Sequence, residues 1–229
     1  MHQNSTKKLF HFNGRLIERS STKTMEAKIT YMPQLMRDDS DKDGKAEIVM
    51  DYVLSWCFRR ADAICKEEKP ILYSHCRYML AKLLGITLSC DVEFSNVKVW
   101  KEDQNIDLWV ELEMKQEDSI TKHAILIENK YYSKLHDTKD EDGGQRNQLY
   151  FYKRDFDAHY SKDKNTEWHK HYALITCIER EDAKLDNYKI AKEEFEFNIF
   201  SFYELVENDI QTESDIFNEF WYRWGDARF

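Results

Sequence analysis

The sequence predicts an α/β domain, layered in the α+β manner, in which a mixed central sheet is flanked by helices. Three observations predict it. Apolar residues recur at helical spacing through Leu83 and then switch to a period of two, so helices come first and strands follow. The most apolar run, residues 123–130 (HAILIENK), is short and ends in charge, as a buried strand does. The resulting order is helix, helix, three strands, helix, two strands, helix, which stacks helices on a sheet.

Taken in order, residues 1–44 are polar and charged and lead into MRDDSDKDGK, which is too hydrophilic to pack. They read as an amino-terminal arm with a short strand near 8–12. Ile48, Val49, Tyr52, Val53 and Trp56 then define the apolar face of a helix over 45–66. Pro70 suits the first turn of a second helix, which directs Leu72, Cys76, Met79, Leu80 and Leu83 inward and stops at Gly85. Strands are expected at 97–100 and 106–112, the second alternating Ile106, Leu108, Val110 and Leu112 against Asp107, Trp109, Glu111 and Glu113. After the 123–130 strand comes a polar loop, 133–144, with a Gly-Gly hinge, followed by a helix over 145–160. Buried strands at 172–178 and 197–200 and helices near 203–209 and 213–224 complete the pattern. Residues 45–229 therefore form one domain behind the arm.

Composition bounds the function classes. The 229 residues are 41% hydrophobic and carry only 6 Gly and 2 Pro, enough to build a core and too few for a long flexible linker. No apolar run approaches the ~18 residues of a membrane span, and the amino-terminal stretch lacks the apolar region of a secretory signal. Five cysteines at 57, 65, 76, 90 and 177, with no C-x-x-C pairing, read as reduced thiols in a cytoplasmic protein. The net charge of −9 argues against a protein that coats a polyanion. Between Thr121 and Asp155, however, seven Lys/Arg offset six Asp/Glu. No Gly-rich phosphate loop and no G-x-S-x-G elbow is present. His169 and His171, just before a strand, read as solvent-exposed, and Phe217, Phe220, Trp221 and Trp224 as core or an oligomer contact.

Acidic-x-Lys triplets recur in the chain, at 26–28, 67–69 and 113–115 among others. Glu128-Asn129-Lys130 differs because it terminates the most apolar strand. Residues two apart on a strand share a face, so carboxylate and ammonium are presented together. Two charges at the end of a buried strand are costly without compensation, which a cation and a phosphate would supply. If strands 106–112 and 122–128 form a hairpin turning within 116–119, Asp107 falls opposite or nearly opposite Glu128, and like charges across a ladder also ask for a cation between them. Mg²⁺ prefers such oxygen ligands, and Lys130 stands where it could stabilise developing negative charge. Gln148 and Tyr152, four apart, lie on one helical face and could orient a phosphate or the attacking water.

The segments NIDLWVEL, HAILIENKYYS and QLYFY together resemble the PD-(D/E)XK nuclease superfamily, and most of all the branch whose core reads Asp, then Glu-Asn-Lys, then Gln-Leu-x-x-Tyr. The resemblance covers roughly residues 97–152, with a looser match of element order from 45 to 210; no Pro precedes Asp107, where the name-giving motif has one. It implies a restriction-endonuclease-like core. It also implies metal ligation by Asp107 and Glu128, a catalytic Lys130, a supporting pair Gln148 and Tyr152, and an additional acid on the first core helix at Glu47. The implied activity is hydrolysis of DNA phosphodiester bonds by activated water, with Mg²⁺, or Mn²⁺ in its place, as cofactor. The implied partner is nucleic acid, DNA before RNA, with a homodimer or accessory protein in addition. The alternative is a catalytically silent module of the same fold that binds a protein or nucleic-acid partner.

Overall fold

The structure is a computed structural model that describes residues 8–12, 15–19, 28–30, 46–103, 106–131, 133–139, 143–177, 186–206 and 211–224. The amino-terminal arm carries more order than its composition predicts. Lys8–Phe12 (β1), Arg15–Arg19 (β2) and Lys28–Thr30 (β3) form an antiparallel sheet whose register sets Phe10 opposite Ile17 and Ile17 opposite Ile29. These strands are only three to five residues long, each with one to three apolar residues, and the polar average over the arm hides them.

Helix α1 (Ala46–Arg60) buries Met50, Leu54, Cys57 and Phe58. Its buried face is shifted from the predicted one: Val53 is buried and Val49 and Trp56 pack half-buried against the core, but Ile48 and Tyr52 are 40% and 62% exposed. The helix also ends before 66, because Asp62 starts a separate 3-10 turn, Ala63–Cys65. One Asp62 oxygen accepts the Ile64 N–H at 3.1 Å and the other the Val97 N–H at 2.9 Å, tying the helix end to a bulge in the first strand of the main sheet. Helix α2 (Pro70–Leu84) buries Leu72, Cys76, Met79, Leu80 and Leu83 as expected and ends at Gly85, whose φ of 70° is the left-handed conformation a helix C-cap requires.

The main sheet has five strands. Val92–Asp103 (β4), Ile106–Gln116 (β5) and Ser119–Lys130 (β6) form an antiparallel meander, with the β5–β6 turn at Glu117 and Asp118. The chain then crosses over and returns parallel to β6 as Trp168–Thr176 (β9), beside which Asn198–Ser201 (β10) also runs parallel. The spatial order is β4-β5-β6-β9-β10. Within the first crossover, the loop predicted at 133–144 holds one strand of a small hairpin, Asp137–Lys139 (β7) paired with Gln145–Asn147 (β8). It leads into helix α3 (Gln148–Ser161), capped by the Asn147 side chain on the Leu149 N–H. The second crossover carries α4 (Asp186–Glu193), which the sequence pattern did not reveal. Of the helix expected at 203–209, a 3-10 turn at Phe202–Leu205 is present; residues 207–210 lie outside the described residues. Helix α5 (Asp215–Trp224) is the last of the described elements.

Both faces of this sheet are covered, which explains why β6 is continuously apolar rather than alternating. One core joins Leu54, Phe58, Met79, Leu108, Ile125, Ile127, Phe217 and Phe220. The other joins Ile106, Trp109, Leu126, Leu149, Phe156, Tyr160 and Tyr188. Trp109, predicted on the polar side of β5, is thus buried under α3. Its indole N–H donates to the Tyr160 hydroxyl, which in turn donates to Glu111 at 2.9 Å. Tyr160→Phe is expected to leave the Trp109 N–H buried without an acceptor and to cost about 1–3 kcal/mol in urea denaturation. An unchanged midpoint would mean that the hydroxyl bridge contributes nothing.

Candidate active site

The meander and the first crossover bring the predicted residues to one end of the sheet. The β5–β6 register runs to Leu108 opposite Ile127, so Asp107 and Glu128 stand one rung beyond, at the strand ends. Odd positions of β5 from 107 and even positions of β6 face α3, the side that also holds Trp109 and Leu126. Asp107 accepts the Asn129 N–H at 2.8 Å, and the Lys130 ammonium lies 2.6 Å from Glu128 Oε1. Gln148, first residue of α3, donates its side-chain amide to the same Glu128 oxygen. It is itself clamped: its Oε1 accepts the His136 N–H at 3.2 Å and its N–H donates to the His136 carbonyl at 3.0 Å. Tyr152, one turn along α3, is half-buried, and its hydroxyl is pushed up to about 12 by burial and then by the charges of Glu128 and Asp107. Glu47 approaches from α1, on the other side of the sheet end, where it accepts the Tyr131 N–H at 2.9 Å and the Ser133 hydroxyl.

Sequence reasoning missed Asp51. It lies one turn after Glu47, is only 5% exposed and accepts a hydrogen bond from the Asn129 side-chain amide. The available signal was a carboxylate inside the buried stripe of α1, between Met50 and Leu54, where unpaired acids are seldom found. The error in helix phase concealed it.

The site is short of positive charge. Burial, followed by the charge of Asp107, pushes Glu128 up to about 8; burial, followed again by Asp107, pushes Asp51 up to about 7. Asp107 is also raised, chiefly by burial. Burial alone would lower Lys130, but Glu128 and Asp107 outweigh it and hold the ammonium above its usual value. Glu128 is 1% exposed, and its Oε2 has no hydrogen-bond partner. A buried carboxylate oxygen without a donor is costly, and a hard cation is the ligand that would satisfy it. Among the described residues, no three His, Cys, Asp or Glu side chains are grouped so as to hold a metal ion. A divalent cation here could take only one or two carboxylates, Asp107 and Glu128, with its other positions left to water and phosphate oxygens.

The remaining candidates lie elsewhere. His169 is exposed, but His171 is half-buried in β9, with its Nε2 3.0 Å from Nδ1 of His123 on β6. This corrects the expectation that both are solvent-exposed: β9 begins at Trp168 because the parallel ladder with β6 extends it before its apolar run. Burial, then neighbouring imidazoles, pushes His123 and His171 down to about 4. His123 precedes Glu128 by five strand positions, roughly 16 Å, so this cluster is separate from the carboxylates. All five cysteines are free thiols, three of them buried. Phe217, Phe220 and Trp221 are core residues; the Trp224 side chain lies outside the described residues. Among the described residues, no helix is long and apolar enough to cross a membrane. Comparison with known proteins finds no family model, no curated protein and no solved structure that matches this chain.

Proposed function

We propose that this protein is a metal-dependent nuclease of the PD-(D/E)XK type, hydrolysing DNA phosphodiester bonds by attack of an activated water. One observation carries the reading: Asp107, Glu128 and Lys130 share one face at the ends of two paired strands, with Gln148 bonded to Glu128. On this reading α1, the β4–β5–β6 meander, α3 and β9 form a restriction-endonuclease-like core.

Asp107 and Glu128 would hold Mg²⁺, or Mn²⁺ in its place. When bound, the ion lowers the pKa of a coordinated water and neutralises charge on the scissile phosphate. Gln148 fixes the rotamer of Glu128 through its own double anchorage to His136. Lys130 keeps its proton across the neutral range and places an ammonium beside both carboxylates, where a phosphate oxygen or the nucleophile would arrive. Tyr152 keeps its proton too, so its hydroxyl is a donor at neutral pH.

The net charge of −9 favours a second reading, a catalytically silent module of this fold that binds a partner. Cleavage of supercoiled, linear and single-stranded DNA with Mg²⁺ or Mn²⁺ separates the two. The wild type is expected to cut, and Lys130→Ala to cut at least about 100-fold more slowly, the loss typical of removing one such electrostatic donor. A wild type that cuts none of the three with either metal would overturn the nuclease reading and leave the module.

A further inference from the structure

Asn129, the middle residue of the triplet, has no place in the chemistry above, yet it is as buried as its neighbours. Successive side chains on a strand point to opposite faces. Glu128 and Lys130 therefore face α3, and Asn129 faces α1. There its amide nitrogen donates to Asp51, while its own backbone N–H donates to Asp107. The amide oxygen has no partner, so Asp51 alone fixes which way the amide lies.

These contacts grip one residue at two points, the side chain from α1 and the backbone from β5. Gripping Asn129 in this way fixes the rotation of β6 about its own axis at that rung. The same rotation sets the directions of Glu128 and Lys130, which are attached on either side. Glu47 holds the next rung on the same side, through the Tyr131 N–H. An apolar residue at position 51 would avoid the penalty of burying a carboxylate; a carboxylate there needs a reason other than stability.

We infer that Asp51 is a positioning residue of the Asp107/Glu128/Lys130 site, acting through the Asn129 amide to fix the orientation in which β6 presents Glu128 and Lys130. The inference rests on the nuclease reading of that site. It predicts that the Asn129 hydrogen bond matters and the negative charge of Asp51 does not, because an amide oxygen at position 51 can accept the same bond.

The test compares wild type, Asp51→Ala and Asp51→Asn in DNA cleavage (kcat and KM at saturating Mn²⁺), in Mn²⁺ affinity by electron paramagnetic resonance, and in thermal melting. Asp51→Ala is expected to lower kcat by about 10- to 100-fold and weaken Mn²⁺ binding about tenfold, the usual effect of removing a group that orients a ligand. KM for DNA should stay within about twofold, and Asp51→Asn within about threefold of wild type in both kcat and Mn²⁺ affinity. Asp51→Ala that melts lower but keeps the wild-type kcat and Mn²⁺ affinity would show a purely structural residue and overturn the inference. Asp51→Asn as impaired as Asp51→Ala would overturn it too, because the charge would then be what acts. If Asp51→Ala does not fold, Asp51→Asn and Asn129→Ala decide in the same way, the first expected near wild type and the second impaired. A wild type that binds Mn²⁺ without cutting removes the nuclease reading alone, and the Mn²⁺ affinities then decide the role of Asp51. A wild type that neither binds nor cuts removes both.

Discussion

Glu128→Gln is expected to stabilise the metal-free protein while abolishing both cleavage and the response of its melting temperature to Mg²⁺. The gain follows from the cost of the native residue. A carboxyl held near 8 instead of 4.5 costs roughly 3 kcal/mol of folding free energy at pH 7. Glutamine removes that cost and keeps a carbonyl oxygen for the Lys130 ammonium and the Gln148 amide. At pH 7 the carboxyl it replaces is already protonated in the fold, so only a less favourable fit to the Lys130 ammonium is deducted and the net gain is about 2 kcal/mol, or roughly 5 °C in a chain of this size. Wild type should recover the difference when metal is added, since a ligand that binds only the folded state stabilises by mass action; the variant should not. Glu128→Ala is expected to go the other way and lose about 3 kcal/mol, because it strands a buried ammonium. Thermal melts in EDTA and in millimolar Mg²⁺ check all three. A glutamine variant that melts below wild type in EDTA would mean that Glu128 is not the strained group.

How far the site could be read from the chain depended on which period carried each residue. Glu128 and Lys130 were legible because a two-residue spacing at the end of an apolar strand fixes a common face. Asp107 followed because a short turn pins the hairpin register, and the structure turns at Glu117 and Asp118, inside the predicted window. Gln148 and Tyr152 needed only helical spacing. Asp51 was hidden because α1 is apolar around much of its circumference. The stripe through Ile48 and Tyr52 and the one through Met50, Leu54 and Phe58 are both apolar, and periodicity cannot choose between them. Helix α4 was missed for the opposite reason: it buries only Tyr188 and Ala191 among its described side chains, too few to mark a period. The pairing of His123 with His171 could not be read at all, since parallel neighbours are joined by a crossover whose geometry no local pattern encodes.

The pH dependence of stability offers the second large effect, and its sign is set by two opposed groups. Glu128 and Asp51 are raised in the fold, to about 8 and about 7. A raised group contributes stability that is complete below its unfolded pKa and is lost as pH rises through its folded one. The metal-free protein should therefore lose about 2 kcal/mol between pH 6.5 and 8.5, or roughly 5 °C. His123 and His171 are depressed to about 4, so their contribution is present above the unfolded value of 6.5 and is lost as pH falls toward 4. Between pH 5 and 6.5 the two trends offset each other, and the melting temperature should be nearly flat. Glu128→Gln should remove most of the alkaline decline, and His123→Gln should turn the acid plateau into a rise as pH falls. On the proposed metal reading, Mg²⁺ should change the alkaline limb alone, because the carboxylates that would hold it must first lose their protons. With saturating Mg²⁺ the melting temperature should stay level or climb from pH 6.5 to 8.5. Calorimetric scans in EDTA and in Mg²⁺ across pH 5–9 read both limbs, and a steady rise in EDTA from 6.5 to 8.5 would contradict the protonated carboxylates. The same deprotonation that weakens the metal-free fold at pH 8 creates the charge a cation needs, so cleavage should increase with pH over the window in which metal-free stability declines.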